Sequence, residues 1–310
     1  MDEPRSPRPA EVSPLISALR KILPEGFRSA EPMRLHTSIR IGGPAEVLCQ
    51  VNSPDEWQRL WEWCQKEGVA WRLLGGGTNL LVCDQGLPGV TVRLAGRLRE
   101  LNWEGERVLV GAGAGLARLV KEATRRGMAG MEFAAGIPGS VGGAVVMNAG
   151  TNHGAVEGVL EEVILWSQDG TVRNVPAVEL GLGYRSSRLQ SGRQVVLAAR
   201  FRLRPGDPEE INRRITAQME ERRLRQPLDL PSAGSVFKNP PGDYAGRLIE
   251  AVGLKGFRMG DAAFSQKHAN FIVNCGRASA ADVHALMQLA REKVRERFNL
   301  ELEPEIRIWR

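Results

Sequence analysis

The sequence predicts an α+β protein built from two domains, and three observations lead to this prediction. The chain has 310 residues, and a single domain typically holds about 150 residues. From about residue 37 onward, short apolar strand patterns alternate with amphipathic helix patterns. Pro205-Gly206 interrupts the alternation after a long apolar run, and a new helix signal follows it. We therefore expect a tail and short helix at 1–35, a first domain at 36–205 and a C-terminal domain at 206–310.

The N-terminal region begins with prolines set among charged side chains, which predicts a flexible tail over 1–14. A short helix is predicted over Leu15–Leu23. Ser53 is the predicted N-cap of the next helix, because Pro54 suits its first position and Glu56 can complete a capping box.

The rest of the first domain consists of apolar runs with turn signals between them. Asp169-Gly170 is typical of a hairpin turn between two of these runs. A helix with an apolar stripe starts at Leu116. The predicted strands of this domain are Ala45–Val51, Ala70–Leu74, Leu80–Val82, Arg107–Val110, Glu162–Trp166, Thr171–Val175 and Val195–Leu203.

The C-terminal domain starts with a clear helix signal. Asp207 and Pro208 suit the N-terminus of a helix, which must end before Pro227 because proline cannot continue it. Ser279 and Asp282 form a predicted capping box for a second long helix. The other predicted elements are a short helix opened by Asp243, a buried strand at Asn270–Val273 and a final strand over 300–309.

The composition narrows the classes of function. A net charge of +6 is consistent with anionic partners and equally with a solvated basic surface. The four cysteines lack C-x-x-C spacing and the four histidines lack H-E-x-x-H spacing, so no metal site is predicted. No apolar run is long enough for a membrane span, and no apolar segment follows the first charges. We expect a cytoplasmic protein that does not bind membranes, and a monomer, because no interface helix is evident.

Two glycine-rich segments are the most informative part of the sequence. Gly75-Gly76-Gly77 lies between two apolar strands. It is not a Walker A loop, because no Gly-Lys-Ser/Thr follows it, and it is not a Rossmann fingerprint, because it leads into a strand and not a helix. Alone it is either a tight turn or a loop whose backbone N–H groups bind a phosphate. The second segment, 136–150, is long, apolar and almost uncharged, which suits the wall of a flavin site. The two together favour a dinucleotide that uses both.

These segments and four further motifs resemble the UDP-N-acetylenolpyruvoylglucosamine reductases, flavoenzymes of the vanillyl-alcohol-oxidase-like (PCMH-type) FAD fold. The motifs occur in the family's order from about residue 36 to the C-terminus, and the short connection after Tyr184-Arg185 resembles the family's shorter subtype. The resemblance implies a two-part FAD-binding domain at 36–205 and an α+β substrate-binding domain at 206–310. The matching motifs are Thr37-x-x-x-Ile41-Gly42-Gly43, LGGGTNLLV at 74–82, GIPGSVGGAVVMNAG at 136–150, GYRSS at 183–187, AGSVFKNP at 233–240 and LEPEI at 302–306.

The resemblance also implies a reaction and its catalytic residues. NADPH would reduce bound FAD, and the flavin would reduce UDP-N-acetylglucosamine enolpyruvate to UDP-N-acetylmuramate in peptidoglycan synthesis. Arg185 would hold the substrate carboxylate in a forked, charge-assisted geometry. Glu305, returned to the active site by the last strand, could donate a hydrogen bond if burial keeps it neutral. Ser235 would supply the proton that completes the reduction.

The motif positions give further candidates. The expected FAD contacts are Ile41, Gly42, Gly75, Gly76, Gly77, Thr78, Asn79, Leu80, Gly136, Ile137, Pro138, Gly139, Ser140, Gly142, Gly143 and Asn148. The expected substrate contacts are Tyr184, Lys238, Asn239, His268 and Asn270. His268 could equally be a satisfied core histidine, and Tyr184 could simply anchor Arg185.

Two other functions remain open from the sequence. One is an FAD-linked oxidase of the same fold, in which His153 or Cys83 would be the nearest candidates for covalent flavin attachment. The other is a basic nucleotide- or RNA-binding protein, supported only by the positive net charge. We expect a small-molecule enzyme that does not bind nucleic acid.

Overall fold

The computed structural model of the protein describes residues 14–23 and 26–310, so the predicted flexible tail lies, apart from Pro14, outside the described residues. Runs of strands are interrupted by single α-helices, and most strand pairs are antiparallel, as expected for an α+β protein. The α-helices of this part are α1 (Pro14–Ile22), α2 (Pro54–Glu67), α3 (Leu116–Arg125), α4 (Val141–Val146), α5 (Pro208–Arg225), α6 (Ala245–Ala251) and α7 (Ala280–Phe298). The strands are β1 (Phe27–Pro32), β2 (Pro44–Val51), β3 (Trp71–Leu73), β4 (Leu80–Val82), β5 (Leu87–Leu94), β6 (Leu101–Glu104), β7 (Arg107–Gly111), β8 (Met128–Ala129), β9 (Gly150–Thr151), β10 (Gly154–Ala155), β11 (Leu160–Ser167), β12 (Val172–Pro176), β13 (Gln194–Arg202), β14 (Arg204–Pro205), β15 (Ser232–Ser235), β16 (Arg258–Met259), β17 (Ala262–Phe264), β18 (Phe271–Asn274) and β19 (Arg307–Trp309).

Two sheets carry the N-terminal part of the fold. The first has the order β1-β2-β5-β3, in which β5 runs parallel to both β2 and β3. The second is antiparallel and has the order β12-β11-β13-β7-β6. Trp57 of α2 links them, because its ring meets Trp71 of β3 at 5.0 Å and Trp166 of β11 at 5.3 Å, both edge to face. All three rings belong to one hydrophobic cluster or pack against it.

The predicted N-cap of α2 is confirmed, but Glu56 does not complete a capping box, because its Oε2 accepts from the N–H of Asn52 at 2.7 Å and not from that of Ser53. Ser53 Oγ accepts a hydrogen bond from the backbone N–H of Glu56 at 3.2 Å, and Pro54 is the first residue of α2. Gly68 ends this helix with a left-handed φ of 65°. The predicted hairpin at Asp169-Gly170 joins β11 to β12. Local sequence therefore determines where this helix and this turn begin and end.

The C-terminal part consists of a third sheet, β15-β18-β17-β16, with α6 and α7 contributing to its hydrophobic cluster. The predicted capping box at Ser279 and Asp282 is present, with both reciprocal hydrogen bonds formed. The prediction that Asp243 opens a short helix was wrong. That helix begins at Ala245, whose N–H is capped by the side chain of Asn239 at 3.1 Å, while Asp243 pairs with Arg247.

The final strand is much shorter than predicted. Only Arg307–Trp309 forms a strand, β19, which pairs in parallel with β4. Glu305 therefore precedes the last strand instead of lying within it. Its backbone N–H donates to the carbonyl of Val236 at 2.8 Å, because this part of the chain crosses the 236–238 segment before it reaches β4. Within the described ranges, no helix has the length and apolar character to cross a bilayer.

Candidate active site

A cavity of about 1680 Å³ opens where the two glycine segments meet. Its walls include Gly75–Asn79, which connects β3 to β4, and Gly136–Ser140, which leads into α4. Gly142 and Gly143 in the first turn of α4 also line it. Small-molecule sites typically measure about 300–1,000 Å³. The cavity is therefore large enough for a dinucleotide together with a second ligand.

The two glycine segments pack directly on each other. A Cβ atom added at Gly76 would lie 2.5 Å from the Cα atom of Gly139. Gly77 has a left-handed φ of +65°, and a Cβ there would overlap the carbonyl oxygen of His36. Thr78 Oγ1 donates to the carbonyl of Pro138 at 3.2 Å and ties the two segments together. Glycine is required here because backbone contacts backbone, and the resulting cradle of N–H groups fits a pyrophosphate.

Helix α5 adds two polar side chains to the cavity that sequence reasoning missed. Gln218 Oε1 and Arg222 Nε are buried atoms without a hydrogen-bond partner among the described residues, and both side chains line the cavity. Burial lowers the pKa of Arg222, and nearby Arg185 lowers it further. Unpaired buried donors and acceptors are costly unless a ligand satisfies them. The polar edge of a flavin ring would supply such partners, so the residues present fit this cofactor.

The three predicted catalytic residues meet at this cavity. Arg185 Nε lies 2.7 Å from Glu305 Oε1, although its N–H is not directed at the carboxylate in hydrogen-bond geometry. Ser235 ends β15, and the next residue, Val236, accepts the backbone hydrogen bond from Glu305. All three side chains line the cavity. The C-terminal chain crosses the 236–238 segment, and this crossing brings Glu305 close to Ser235, although the two residues are 70 positions apart in the sequence.

The electrostatic environment of Glu305 is dominated by burial. Its side chain is 12% exposed, and this burial raises the pKa of the carboxyl above its usual value. The positive charges of Arg185 and Lys238 oppose the effect but are smaller. The raised pKa favours a neutral carboxyl, which is the form that can donate a hydrogen bond.

The turn that carries Arg185 has an unusual backbone. Arg185 has a φ of 52°, which is rare for a residue other than glycine and is typically found at functional sites. Gln190 holds it there, since its Nε2 donates to the carbonyl of Arg185 at 2.9 Å. Ser187 Oγ donates to the carbonyl of Val146 at 2.6 Å, which attaches the turn to the end of α4. The position of Arg185 therefore depends on the second glycine segment.

Most predicted FAD contacts line the cavity, but the structure gives two asparagines different partners. Asn79 lines the cavity and also donates from Nδ2 to the carbonyl of Glu305 at 3.0 Å. Asn148 is buried outside the lining, where its Nδ2 donates to the carbonyl of Gly183 at 2.9 Å. Each therefore supports the segment that carries a catalytic candidate, Glu305 or Arg185.

Ile41 and Gly42 also lie outside the cavity lining. Ile41 is buried in the hydrophobic cluster of the C-terminal sheet. A Cβ atom at Gly42 would contact the Cβ atoms of Met33 and Val82 at 3.0 Å each, so this glycine is required for packing. The predicted contacts that do line the cavity are Gly75, Gly76, Gly77, Thr78, Asn79, Leu80, Gly136, Ile137, Pro138, Gly139, Ser140, Gly142 and Gly143.

The predicted substrate contacts divide in the same way. Asn239 and His268 line the cavity, whereas Tyr184, Lys238 and Asn270 do not. His268 Nδ1 accepts from the N–H of Asn270 at 3.2 Å, and burial lowers the pKa of its ring. Asn270 is buried and bonds both the N–H and the carbonyl of Phe237, so it fixes the strand end that presents Ser235.

Lys238 and Tyr184 are chain neighbours of the lining residues Asn239 and Arg185, but they do not line the cavity themselves. Lys238 pairs with Glu303. Tyr184 is 58% exposed and lies beside Arg185, whose guanidinium carbon is 5.6 Å from the ring centre.

The two candidates for covalent flavin attachment differ in position. His153 lines the cavity but is exposed and lies 3.2 Å from Glu221, whereas Cys83 is not in the lining.

Positive charge is concentrated in the cavity lining. The sequence did not predict this, because the arginines concerned are far apart in the chain. The arginines that line it are Arg72, Arg93, Arg99, Arg185, Arg222, Arg225 and Arg307, against the carboxylates Glu221 and Glu305.

Family models match both parts of the chain. Residues 45–175 match a model described as an FAD binding domain. Residues 226–309 match the model of the UDP-N-acetylenolpyruvoylglucosamine reductase C-terminal domain. The fold and the site therefore define an FAD-dependent oxidoreductase, and the predicted α+β class with FAD as cofactor is confirmed.

Individual relatives agree over almost the whole chain. The UDP-N-acetylenolpyruvoylglucosamine reductase 2 of Symbiobacterium thermophilum is 46% identical over 301 residues, which cover 96% of this chain and 97% of the relative. A reductase of the same name from Anaeromyxobacter sp. (strain Fw109-5) is 47% identical over 93% of this chain and 90% of the relative. The crystal structure of the Thermus caldophilus enzyme superimposes with a TM-score of 0.79 at 42% identity, covering 90% of this chain and 97% of that chain. The chain belongs to the UDP-N-acetylenolpyruvoylglucosamine reductase family, as its motifs predicted.

Proposed function

We propose that this protein reduces UDP-N-acetylglucosamine enolpyruvate to UDP-N-acetylmuramate in peptidoglycan synthesis. NADPH would be the reductant, and FAD held between the two glycine segments of the cavity would supply the hydride-transfer chemistry that the enolpyruvyl double bond requires. The observation that carries the proposal is the meeting of Arg185, Glu305 and Ser235 at a cavity walled by two glycine segments. The names of the relatives support the same substrate.

Arg185 and Glu305 act on the carboxylate of the substrate. Addition of hydride to the terminal carbon leaves negative charge on the neighbouring carbon and on this carboxylate. Arg185 can hold the carboxylate oxygens with its forked donors, a geometry that lysine lacks. Glu305 in its neutral form donates a hydrogen bond to the growing charge, and its burial supports that form. The two side chains are already in contact, so little rearrangement is needed at the moment of reaction.

Ser235 supplies the proton that the neighbouring carbon requires. Its backbone is held against β18, since Ser235 pairs with Phe271 and the N–H of Val236 donates to the carbonyl of Asn270 at 2.8 Å. A serine hydroxyl is a weak acid, but a carbanion beside a carboxylate is a strong base. Transfer from a positioned hydroxyl to such a carbon is therefore favourable.

NADPH and the UDP-sugar share this cavity and react in turn. Each of the two ligands must present a carbon to the same flavin atom. The glycine segments and the catalytic candidates line one cavity, so a single site can serve both ligands. The expected kinetics are ping-pong, with inhibition by excess substrate. Intersecting double-reciprocal lines together with simultaneous binding would contradict this.

The half-reactions of Ser235 variants test the assignment. Ser235→Ala is expected to retain FAD and to be reduced by NADPH at the normal rate, because flavin reduction requires no protein acid. Its reoxidation by the UDP-sugar is expected to be about 10²- to 10⁴-fold slower, the range typical of lost general acid catalysis. Ser235→Cys, which also carries a proton donor, should recover part of the rate. Stopped-flow absorbance separates the two steps, and near-normal reoxidation of the alanine variant would remove Ser235 from the mechanism.

The remaining proposals concern the cellular location, the oligomeric state and the partners of the enzyme. We place it in the cytoplasm, which is supported by four free cysteines, including exposed Cys275. We propose that it has no nucleic-acid partner, since a group of its arginines lines the small-molecule cavity. The proposed oligomeric state is the monomer expected from the sequence. A covalent flavin oxidase is the alternative enzyme, and flavin that remains with acid-precipitated protein would favour it.

A further inference from the structure

Arg93 is a half-buried cation that faces the cavity beside a second cation, Arg99. It lies near the end of β5 and lines the cavity. No carboxylate of the described residues forms an ion pair with it, and burial together with Arg99 lowers its pKa. A desolvated guanidinium beside a second cation is unfavourable unless an anion is bound. The surroundings of Arg93 therefore suit an anionic group of a ligand.

A chain of two side chains behind Arg93 holds its guanidinium. Arg93 Nη1 lies 3.2 Å from His36 Nδ1, and His36 Nε2 lies 2.7 Å from Glu31 Oε1. Arginine can only donate, so His36 accepts at Nδ1 and donates to Glu31 from Nε2. Glu31 is 8% exposed, and its pKa is lowered by the hydrogen bond from His36 and by Arg28. The arrangement resembles the support that polar networks give to functional side chains, and it fixes the direction of the guanidinium.

The hydrogen-bonded series Arg93–His36–Glu31 lies against the first glycine segment. The N–H of Leu74 donates to the carbonyl of Val92 at 2.8 Å, so β5 delivers Arg93 beside Gly75. At the other end of the segment, Gly77 packs so closely on the carbonyl of His36 that no Cβ atom would fit there. Arg93 therefore lies beside the start of this loop and the His36 backbone beside its end, and the two side chains meet in the hydrogen bond described above.

We infer that Arg93, positioned by His36 and Glu31, binds a phosphate of the FAD pyrophosphate beside Gly75–Gly77. Arg93 contacts the cofactor, while His36 and Glu31 are positioning residues that act through it. The inference rests on the proposed function only in taking FAD as the cofactor of this cavity. NADPH and the UDP-sugar also carry pyrophosphates, and the experiment below distinguishes these sources.

The test compares flavins with and without phosphate on protein from which the flavin has been removed. Arg93→Gln is expected to weaken FAD binding about 10- to 100-fold, the range typical of a lost hydrogen bond between charged groups. Its affinity for riboflavin, which has the same ring but no phosphate, should be unchanged. Arg97→Gln is the matched control, because Arg97 is 67% exposed, pairs with Asp55 and lies outside the cavity lining. Arg93→Lys should retain more FAD affinity than Arg93→Gln, since it keeps the charge.

A double-mutant cycle tests the positioning residues. His36→Ala is expected to weaken FAD binding about 3- to 10-fold in the wild-type background and to have no further effect in Arg93→Gln. His36→Gln, whose amide oxygen can accept from Arg93, should retain part of the affinity. A merely structural role for His36 would instead weaken riboflavin and FAD equally, and its effect would add to that of Arg93→Gln.

Three outcomes overturn the inference. One is equal FAD affinity in Arg93→Gln and Arg97→Gln. Another is an unchanged FAD affinity with a raised KM for NADPH or for the UDP-sugar, which would assign Arg93 to a substrate pyrophosphate. A wild-type apoprotein that binds no FAD would contradict the proposed function as well, whereas the first two outcomes leave that function intact.

Discussion

Replacement of Gly76 tests how the two glycine segments form the cofactor site. A Cβ atom at Gly76 would lie 2.5 Å from Gly139 Cα, 3.1 Å from Gly139 C and 3.2 Å from Ser140 N. Gly76 does not have a left-handed φ, so the obstacle to a side chain is this close approach and not backbone strain. Ordinary contact requires the segments to separate by about 1 Å. Such a shift moves the N–H groups beyond hydrogen-bond range of a bound phosphate.

Loss of one hydrogen bond to a charged group typically costs about 1.5–3 kcal/mol, so Gly76→Ala should weaken FAD binding about 10- to 150-fold. Gly76→Val should weaken it further. The measurement is fluorescence titration of the apoprotein with FAD, and thermal unfolding checks that the variants fold. Gly158→Ala is the matched control, because its Cβ would meet nothing within 4 Å and Gly158 is not part of the cavity lining. Equal FAD affinity in the two alanine variants would refute the reasoning.

Two other substitutions examine the Glu305 carboxyl and the hydrogen bond from Asn79 to the Glu305 backbone carbonyl. Because burial raises the pKa of Glu305 in the folded protein, the carboxyl contributes fully to stability at low pH and less as the pH rises through that pKa. The melting temperature of the wild type relative to Glu305→Gln should therefore fall from about pH 4 to about pH 7, and a rise would show that Arg185 outweighs burial. Asn79→Ala removes the hydrogen bond to the Glu305 carbonyl, so reoxidation by the UDP-sugar should slow about 10-fold while the dissociation constant of FAD changes less. The reverse result, weaker FAD binding with normal reoxidation, would support the sequence-based role of Asn79 as an FAD contact.

Sequence signals predicted the elements whose start and end depend on neighbouring residues. The N-caps at Ser53 and Ser279 and the hairpin at Asp169-Gly170 are examples, because each is made within one helical turn or one tight turn. Strands with distant partners were predicted less evenly: β11 and β13 were expected at Glu162–Trp166 and Val195–Leu203, whereas others were missed. β5 starts with Leu87-Pro88-Gly89, which is typical of a turn, yet it is a strand because β2 and β3 lie on either side of it.

The family motifs by themselves determined the identity of the catalytic candidates and of the glycine segments, because these residues form short strings with a specific spacing. Only the tertiary structure decided what surrounds them. Burial of Glu305 raises its pKa, and burial depends on how the C-terminal chain crosses the 236–238 segment to reach β4. Helix α5 is polar on most of its surface, so nothing in its sequence marks Arg222 as a residue of the cavity wall. Likewise, the hydrogen bond between Arg93 and His36 joins residues 57 positions apart, and it exists only because β1 and β5 flank β2 in one sheet. Desolvation and long-range hydrogen bonds depend on packing between residues remote in the chain, whereas helix caps and turns depend on neighbouring residues. The sequence alone therefore determines the caps and turns, and the tertiary structure decides the burial and the long-range hydrogen bonds.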